Sequence, residues 1–447
     1  MSTSAVEDFL RGADVPDQVE VPDLVALPLR ERHRLITSGE VGAAEWHETA
    51  HEWSVVADAR YRACAVLAEP SSDSPALRLG VKDTVDVAGF PTTLGLRRYR
   101  HHPRRSAAVL RDVRNTVVTA KVVTTELNIG VGSGCGNPYF PHIDPAGSST
   151  GSGVAVAAGI CDVSLGTDVL GSVRWPAGRC GVVGLRTTHD PGNLTGIFPL
   201  CPSMDAPGWV ARTADDLAFL WSHLGLGSEV SHRALRVGVV SEVSEGAVEP
   251  EIAGALDAAA RALAEAGHAV SEVRLGDLWH WRGPAWDLCA RDAWLGREVW
   301  GERFGDDLLP STLAALEAGA RIDDRRYAEI RTALVRHRAA VSGLFDEGGV
   351  DAWLLPLDAV VPRAKGAKPA ATSTIPTPAD PDYDREIGYT PVASFAGLPA
   401  ITFPVGVSPA QAPLAVQLVG RPHAENALIG LARDAGAVFG NLGFAPR

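Results

Sequence analysis

Apolar residues recur along this chain at two spacings, one helical and one of strands, and the two alternate. Trp46, Ala50, Trp53, Ala57, Tyr61, Cys64 and Ala68 repeat at helical spacing, so residues 1–70 read as a helical N-terminal region. An apolar run over 77–81 reads as a strand, ended abruptly by Lys82 and Asp83. Residues 106–114 predict a helix, and the β-branched run TVVTAKVV predicts the strand that completes one α/β unit. Residues 196–221 read as a loop followed by a helix, with Thr213 as its N-cap.

Residues 229–275 repeat the alternation as strand LRVGVV, a helix closed by Gly267 at its C-cap, and strand HAVSEVRL. Residues 278–345 predict helices, with Trp286, Ala290 and Trp294 on one face, a stripe that packs a core or lines an apolar pocket. DAWLLP, PAITFPV and LAVQLVG predict further strands, and ENALIGLARDAGAVFG a last helix. The aperiodic Pro/Ala/Thr-rich stretch 362–384 predicts a surface excursion over the active site. No compositional break interrupts the alternation. The expected fold is therefore α/β: one domain over 1–447, with a single large mixed β-sheet covered by helices on both faces.

Composition narrows the function. Hydrophobic residues make up 46% of the 447 and charged residues 21%, an ordinary globular balance. The net charge of −13 favours solubility, and no basic run stands out as a nucleic-acid surface. The acidic N-terminus lacks the apolar core of a signal peptide, and no apolar run reaches membrane-spanning length. Cys64, Cys135, Cys161, Cys180, Cys201 and Cys289 show neither CxxC nor metal-ligand spacing, and read as reduced thiols of a cytoplasmic protein. His47 and His51 lie one helical turn apart without a third ligand, so no metal is expected. The glycine-rich stretch 128–137 lacks the GxxxxGK[ST] pattern and opens no helix, which argues against phosphate binding.

The chemistry concentrates in residues 145–185. GSSTGSG at 147–153 has the composition of a linker, but it runs directly into the buried VAVAAG, so close backbone approach explains its small residues better. A second turn, GTDVLGS, ends at Ser172. A serine on a tight turn presents its hydroxyl and neighbouring N–H groups to one point, as acyl transfer requires. No Gly-x-Ser-x-Gly elbow is present, and no histidine lies near either serine in sequence. Lys82 sits at a strand end, where a rim charge is the ordinary reading, but the apolar residues after it suit a partly enclosed lysine.

PAGSSTGS, GTDVLGSVRWPAGRCGVVGLR and VKDTVD together resemble the amidase signature family. AKVVTTEL, SMDAPGWVARTADDLA, DAWLLP, FAGLPAITFPVG and PLAVQLVG extend the resemblance over roughly residues 60–430, weakest over 275–345. It implies a signature core at 71–220 and a helical substrate-side insertion at 275–345. It also implies hydrolysis of a small-molecule carboxamide or an N-acyl or ureido compound, without cofactor or metal. In that reading Ser172 is the nucleophile, Ser148 the bridging serine on a cis peptide, and Lys82 the base. Backbone N–H groups of Val169, Leu170, Gly171 and Ser172 form the oxyanion hole. Asp168 and Arg174 brace the turn, and Ser149 and Thr167 supply further hydrogen bonds.

The chemistry is coherent in itself: a lysine is a base near neutral pH only when burial strips its proton, and a hydroxyl can both give and take one. Three positions depart from the family: Leu170, Ala146 and Thr150 stand where glycine is usual. A left-handed backbone at Leu170 would cost roughly 1–2 kcal/mol. The same resemblance admits a glutaminase-type amidotransferase component, an acyl-transferring tailoring enzyme or a silent binding protein. A homodimer is left open.

Overall fold

Eleven strands share one sheet because almost every strand segment offers apolar side chains to both faces. The computed structural model describes residues 21–69, 77–130, 132–304, 308–365, 378 and 383–439. Its strands are β1 (Cys64–Leu67), β2 (Leu77–Lys82), β3 (Thr116–Val122), β4 (Val163–Asp168), β5 (Val183–Arg186), β6 (Ala206–Ala211), β7 (Arg236–Val240), β8 (Ala269–Val273), β9 (Ala352–Pro356), β10 (Ala400–Val407) and β11 (Pro413–Gly420). Their order is β1-β3-β2-β4-β6-β5-β10-β11-β9-β7-β8. Parallel pairs at β3-β2-β4 and β9-β7-β8 flank an antiparallel middle, so the sheet is mixed as expected.

Alternation along a strand sends neighbours to opposite faces. In β6, Trp209 and Ala211 join the main core, while Val210 joins a second cluster beneath Trp46, Trp53 and Val154. That second cluster is built largely by the helices Ala43–Tyr61 and Thr150–Ala157, the latter buried at all eight residues.

Thr213 caps the helix Ala214–His223 by accepting the Asp216 N–H, and Gly267 takes φ +93° just past the helix Pro250–Glu265. Three expected elements change. The N-terminal helix ends at Tyr61, where Arg62 turns left-handed, and residues 64–67 pair with β3 instead. Residues 106–114 make only a 3-10 turn, Ala108–Leu110: the N–H groups of Leu110 and Arg111 close onto the carbonyls of Ala107 and Ala108, and that of Arg114 goes to Leu224 O rather than into a helix. The loop read before Thr213 contains β6, a fully buried central strand lacking a period-2 signature. Most of the 362–384 excursion lies outside the described residues.

Candidate active site

The site forms where β2 and β4 run side by side. Their parallel register sets Val81 opposite Leu165, which brings Lys82 level with the end of β4. Lys82 Nζ lies 2.8 Å from Ser148 Oγ and 2.8 Å from Thr167 Oγ1, and the lysine is wholly buried. Burial pushes its pKa well below lysine's ordinary value, and the Asp205 and Asp168 carboxylates pull the other way without reversing it.

Ser148 follows a cis peptide from Gly147 and is buried. The turn carrying it is pressed against the sheet. A Cβ on Gly151 would fall 2.3 Å from Val123 N, and one on Gly166 would fall 2.8 Å from Ser149 Oγ. Close approach, not linker flexibility, accounts for these glycines. Ser149 bridges the two turns: its N–H donates to Ser172 O at 3.1 Å, its Oγ donates to Thr167 O at 3.0 Å, and it accepts the Thr167 N–H at 3.2 Å.

Ser172 sits between β4 and the helix Arg174–Arg179, and unlike Lys82 and Ser148 it is only partly buried. The turn is braced from below by Asp168. That carboxylate accepts the N–H groups of Gly171 (3.0 Å) and Val173 (3.2 Å) and pairs with Arg174 at 2.9 Å. Burial would raise its pKa, but Arg174 and Arg186 hold it well below the usual carboxylate range. Arg174 reaches on to Thr390 O at 2.9 Å and Gln417 Oε1 at 2.8 Å.

The N–H groups of Val169, Leu170 and Ser172 meet no acceptor among the described residues. Gly171, grouped by sequence with the oxyanion donors, differs from them because its N–H is given to Asp168. Gly171 also takes φ +120°, and a Cβ there would fall 2.8 Å from Thr390 Oγ1.

Leu170 is not left-handed. Its side chain is buried in the main core and its carbonyl accepts from Thr390 Oγ1, so the replaced glycine leaves no backbone penalty there. The left-handed residue is Ala146, with φ +62°. Thr150 Oγ1 donates to the Ala146 carbonyl at 2.6 Å.

Several neighbours carry no signal in sequence. Arg186 also donates to the Asp168 carbonyl. Asp205 accepts the N–H groups of Leu200 and Cys201, both at 3.1 Å; burial raises its pKa to about 7, opposed by those N–H groups and by Arg186. Asn128 Nδ2 and Thr125 Oγ1, on the turn that touches Ser148, are buried without partners among the described residues. Trp286 of the expected stripe stacks on Trp175 at 6.2 Å, whereas Ala290 packs under the helix Pro310–Ala320. His47 and His51 line a shallow cleft at the sheet edge with Glu69 and Arg78.

One His/His/Asp group lies elsewhere, at His232, His268 and Asp434. There His268 Nδ1 accepts the Leu235 N–H at 3.2 Å, which leaves the neutral ring's proton on Nε2, facing Asp434. A ring so held presents no lone pair to a cation. No helix among the described residues is long and apolar enough to cross a membrane.

The mixed sheet thus brings a buried lysine to paired serine turns in an α/β fold. The family model described as Amidase matches residues 76–429, and the chain belongs to the amidase family. It is 32% identical to the 2-amino-5-chloromuconic acid deaminase of Comamonas testosteroni, over 81% of this chain and 82% of that protein. It is also 32% identical to one of the subunits of the glutamyl-tRNA(Gln) amidotransferase of Deinococcus radiodurans, over 79% of this chain and 82% of that one. Among solved structures, one described as an amidase superimposes with a TM-score of 0.77 at 27% identity, covering 93% of this chain and all of that one.

Proposed function

We propose that Ser172 attacks the carbonyl of a small-molecule amide and carries the acyl group to water. The observation that carries this reading is the 2.8 Å contact between Lys82 Nζ and Ser148 Oγ with both residues buried, since only there does a lysine favour its neutral, basic form. Ser148 passes the Ser172 proton to Lys82 as the Ser172 Oγ–carbon bond forms. The tetrahedral oxyanion is received by the unspent N–H groups of Val169, Leu170 and Ser172, while Asp168 and Arg174 hold the turn and Gly171 anchors it. The proton returns through Ser148 to the leaving nitrogen as the C–N bond breaks. Water then attacks the acyl carbon, giving its proton to Lys82 through Ser148; the Ser172 Oγ–carbon bond breaks, the proton returns by the same route to Ser172, and the acid leaves.

Ser149 and Thr167 act as positioning residues, Thr167 by fixing Lys82 Nζ from its other side. The test is labelling by a fluorophosphonate. Adduct mass on Ser172, absent from Ser172→Ala, supports the reading, and an unlabelled serine overturns it. A second reading, a glutaminase-type component of an amidotransferase, is favoured by the 32% identity to the Deinococcus radiodurans protein. Recovery of the protein from its host without a partner, active alone, rules it out.

A further inference from the structure

Against the expectation that no basic run stands out, residues 97–105, RRYRHHPRR, hold five arginines and two histidines in a chain of net charge −13. All seven are exposed. The segment is held in place: Thr92 and His101 exchange backbone hydrogen bonds of 2.8 and 2.9 Å, and Arg100 donates to the carbonyls of Leu96, Arg97 and Tyr99. His101 faces Asp86 at 3.8 Å. Arg97, Arg104 and Arg105 form no ion pair among the described residues, so their charge is available to solvent.

The root of this segment rests on the site. Leu94 N–H donates to the carbonyl of Asp83, the residue after Lys82, at 3.1 Å, and Leu94 O accepts from Leu127 N at 2.9 Å. A Cβ on Gly95 would meet the backbone of Thr125 and Glu126 at 3.0 Å. Thr125 N–H in turn donates to Ser148 O at 3.1 Å. Tyr99 folds back edge-on to Phe304 at 5.0 Å, and Phe304 packs with Phe198 and Trp300. Tyr99, Phe198, Trp300 and Phe304 thus form an aromatic cluster at the base of the fixed cationic loop.

We infer that residues 97–105 select substrates bearing a carboxylate remote from the scissile amide, drawing them to Ser172. The inference rests on the proposed role of Ser172. A patch of one sign beside a site raises the local concentration of oppositely charged substrate and the rate of productive encounter, by factors of about 10 to 1,000. The negative remainder of the surface sharpens that contrast. The effect decays over roughly 8 Å at physiological ionic strength, so it is salt-sensitive by nature.

The experiment uses two fluorophosphonates of equal length, one ending in a carboxylate and one in its methyl ester, with Ser172 labelling followed by intact-protein mass spectrometry. The carboxylate probe is expected to label about tenfold faster at low salt, with the advantage shrinking in 0.5 M salt, as steering requires. In the variant Arg97→Gln/Arg104→Gln/Arg105→Gln the ratio is expected to fall to near one. Equal rates in the wild-type protein overturn the inference alone, as does an advantage that survives in the variant. Equal rates together with tRNA retained by wild type but not by the variant would reassign the segment to a nucleic-acid partner. Labelling by neither probe overturns the role of Ser172 as well.

Discussion

Lys82 Nζ and Ser148 Oγ meet at 2.8 Å, and neither residue has appreciable contact with solvent. In that setting a lysine cannot keep its proton cheaply, and the serine hydroxyl to which Lys82 donates can also give a proton to it. Replacing the lysine should therefore be felt in the chemical step. Lys82→Ala is expected to lower kcat by about 100- to 10,000-fold, the usual range for loss of a general base, with KM little changed. Steady-state kinetics on any turned-over amide would check this; an equal loss confined to KM would contradict it.

The lowered Lys82 pKa fixes the sign of the pH dependence. Below that pKa the lysine is protonated and cannot accept from Ser148, so kcat/KM should fall as the pH falls through it. The Asp205 carboxylate favours the charged lysine. Asp205 is ionised only above its raised pKa of about 7, so Asp205→Asn, which retains an acceptor for the N–H groups of Leu200 and Cys201, should move the part of the limb above that pH to lower pH. An unmoved or alkaline-shifted limb would refute the coupling.

Asp168 and Arg174 form a fully buried pair with further bonds to Thr390 and Gln417. Removing one partner strands the other, so Arg174→Ala should cost about 3–5 kcal/mol in urea unfolding. Asp168 has its folded pKa held below the unfolded value near 3.9. Its contribution is accordingly complete above about pH 4 and is lost as the pH drops through the folded value. The stability gap between wild type and Asp168→Asn should narrow on that side only, which urea midpoints measured across the acid range would register.

Backbone demands separate two small-residue positions. Ala146 holds φ +62°, so Ala146→Gly should leave stability unchanged or raise it by up to about 1 kcal/mol. Gly151→Ala would force a Cβ to 2.3 Å from Val123 N and should destabilise by roughly 3 kcal/mol or more. Thermal unfolding of the two variants side by side distinguishes these signs.

Much of this architecture is legible in sequence. The strand at 77–82, the long helices after 250, the Thr213 cap and Gly267 all follow from local rules, because capping, periodicity and left-handed turns are properties of neighbouring residues. The motifs around Ser148 and Ser172 are legible for the same reason. Strand β6 is not, because burial on both faces erases the alternation that marks a half-buried strand. Nor is the fate of residues 106–114, where Arg114 gives its N–H to the Leu224 carbonyl, far along the chain, instead of to a helical neighbour.

By itself, then, the sequence determined which residues are chemically equipped: a lysine at a strand end and two serines in small-residue turns. Only the tertiary structure decided how they are used. The parallel register of β2 with β4 carries Lys82 to the level of Thr167 and Ser148, and enclosure there lowers its pKa well below lysine's ordinary value. It also decided that Gly171 gives its N–H to Asp168, that Ala146 and not Leu170 bears the left-handed backbone, and that Leu94 and Gly95, at the root of residues 97–105, rest against the site. Register, burial and hydrogen-bond partners belong to the packed sheet, and no local pattern in the chain encodes them.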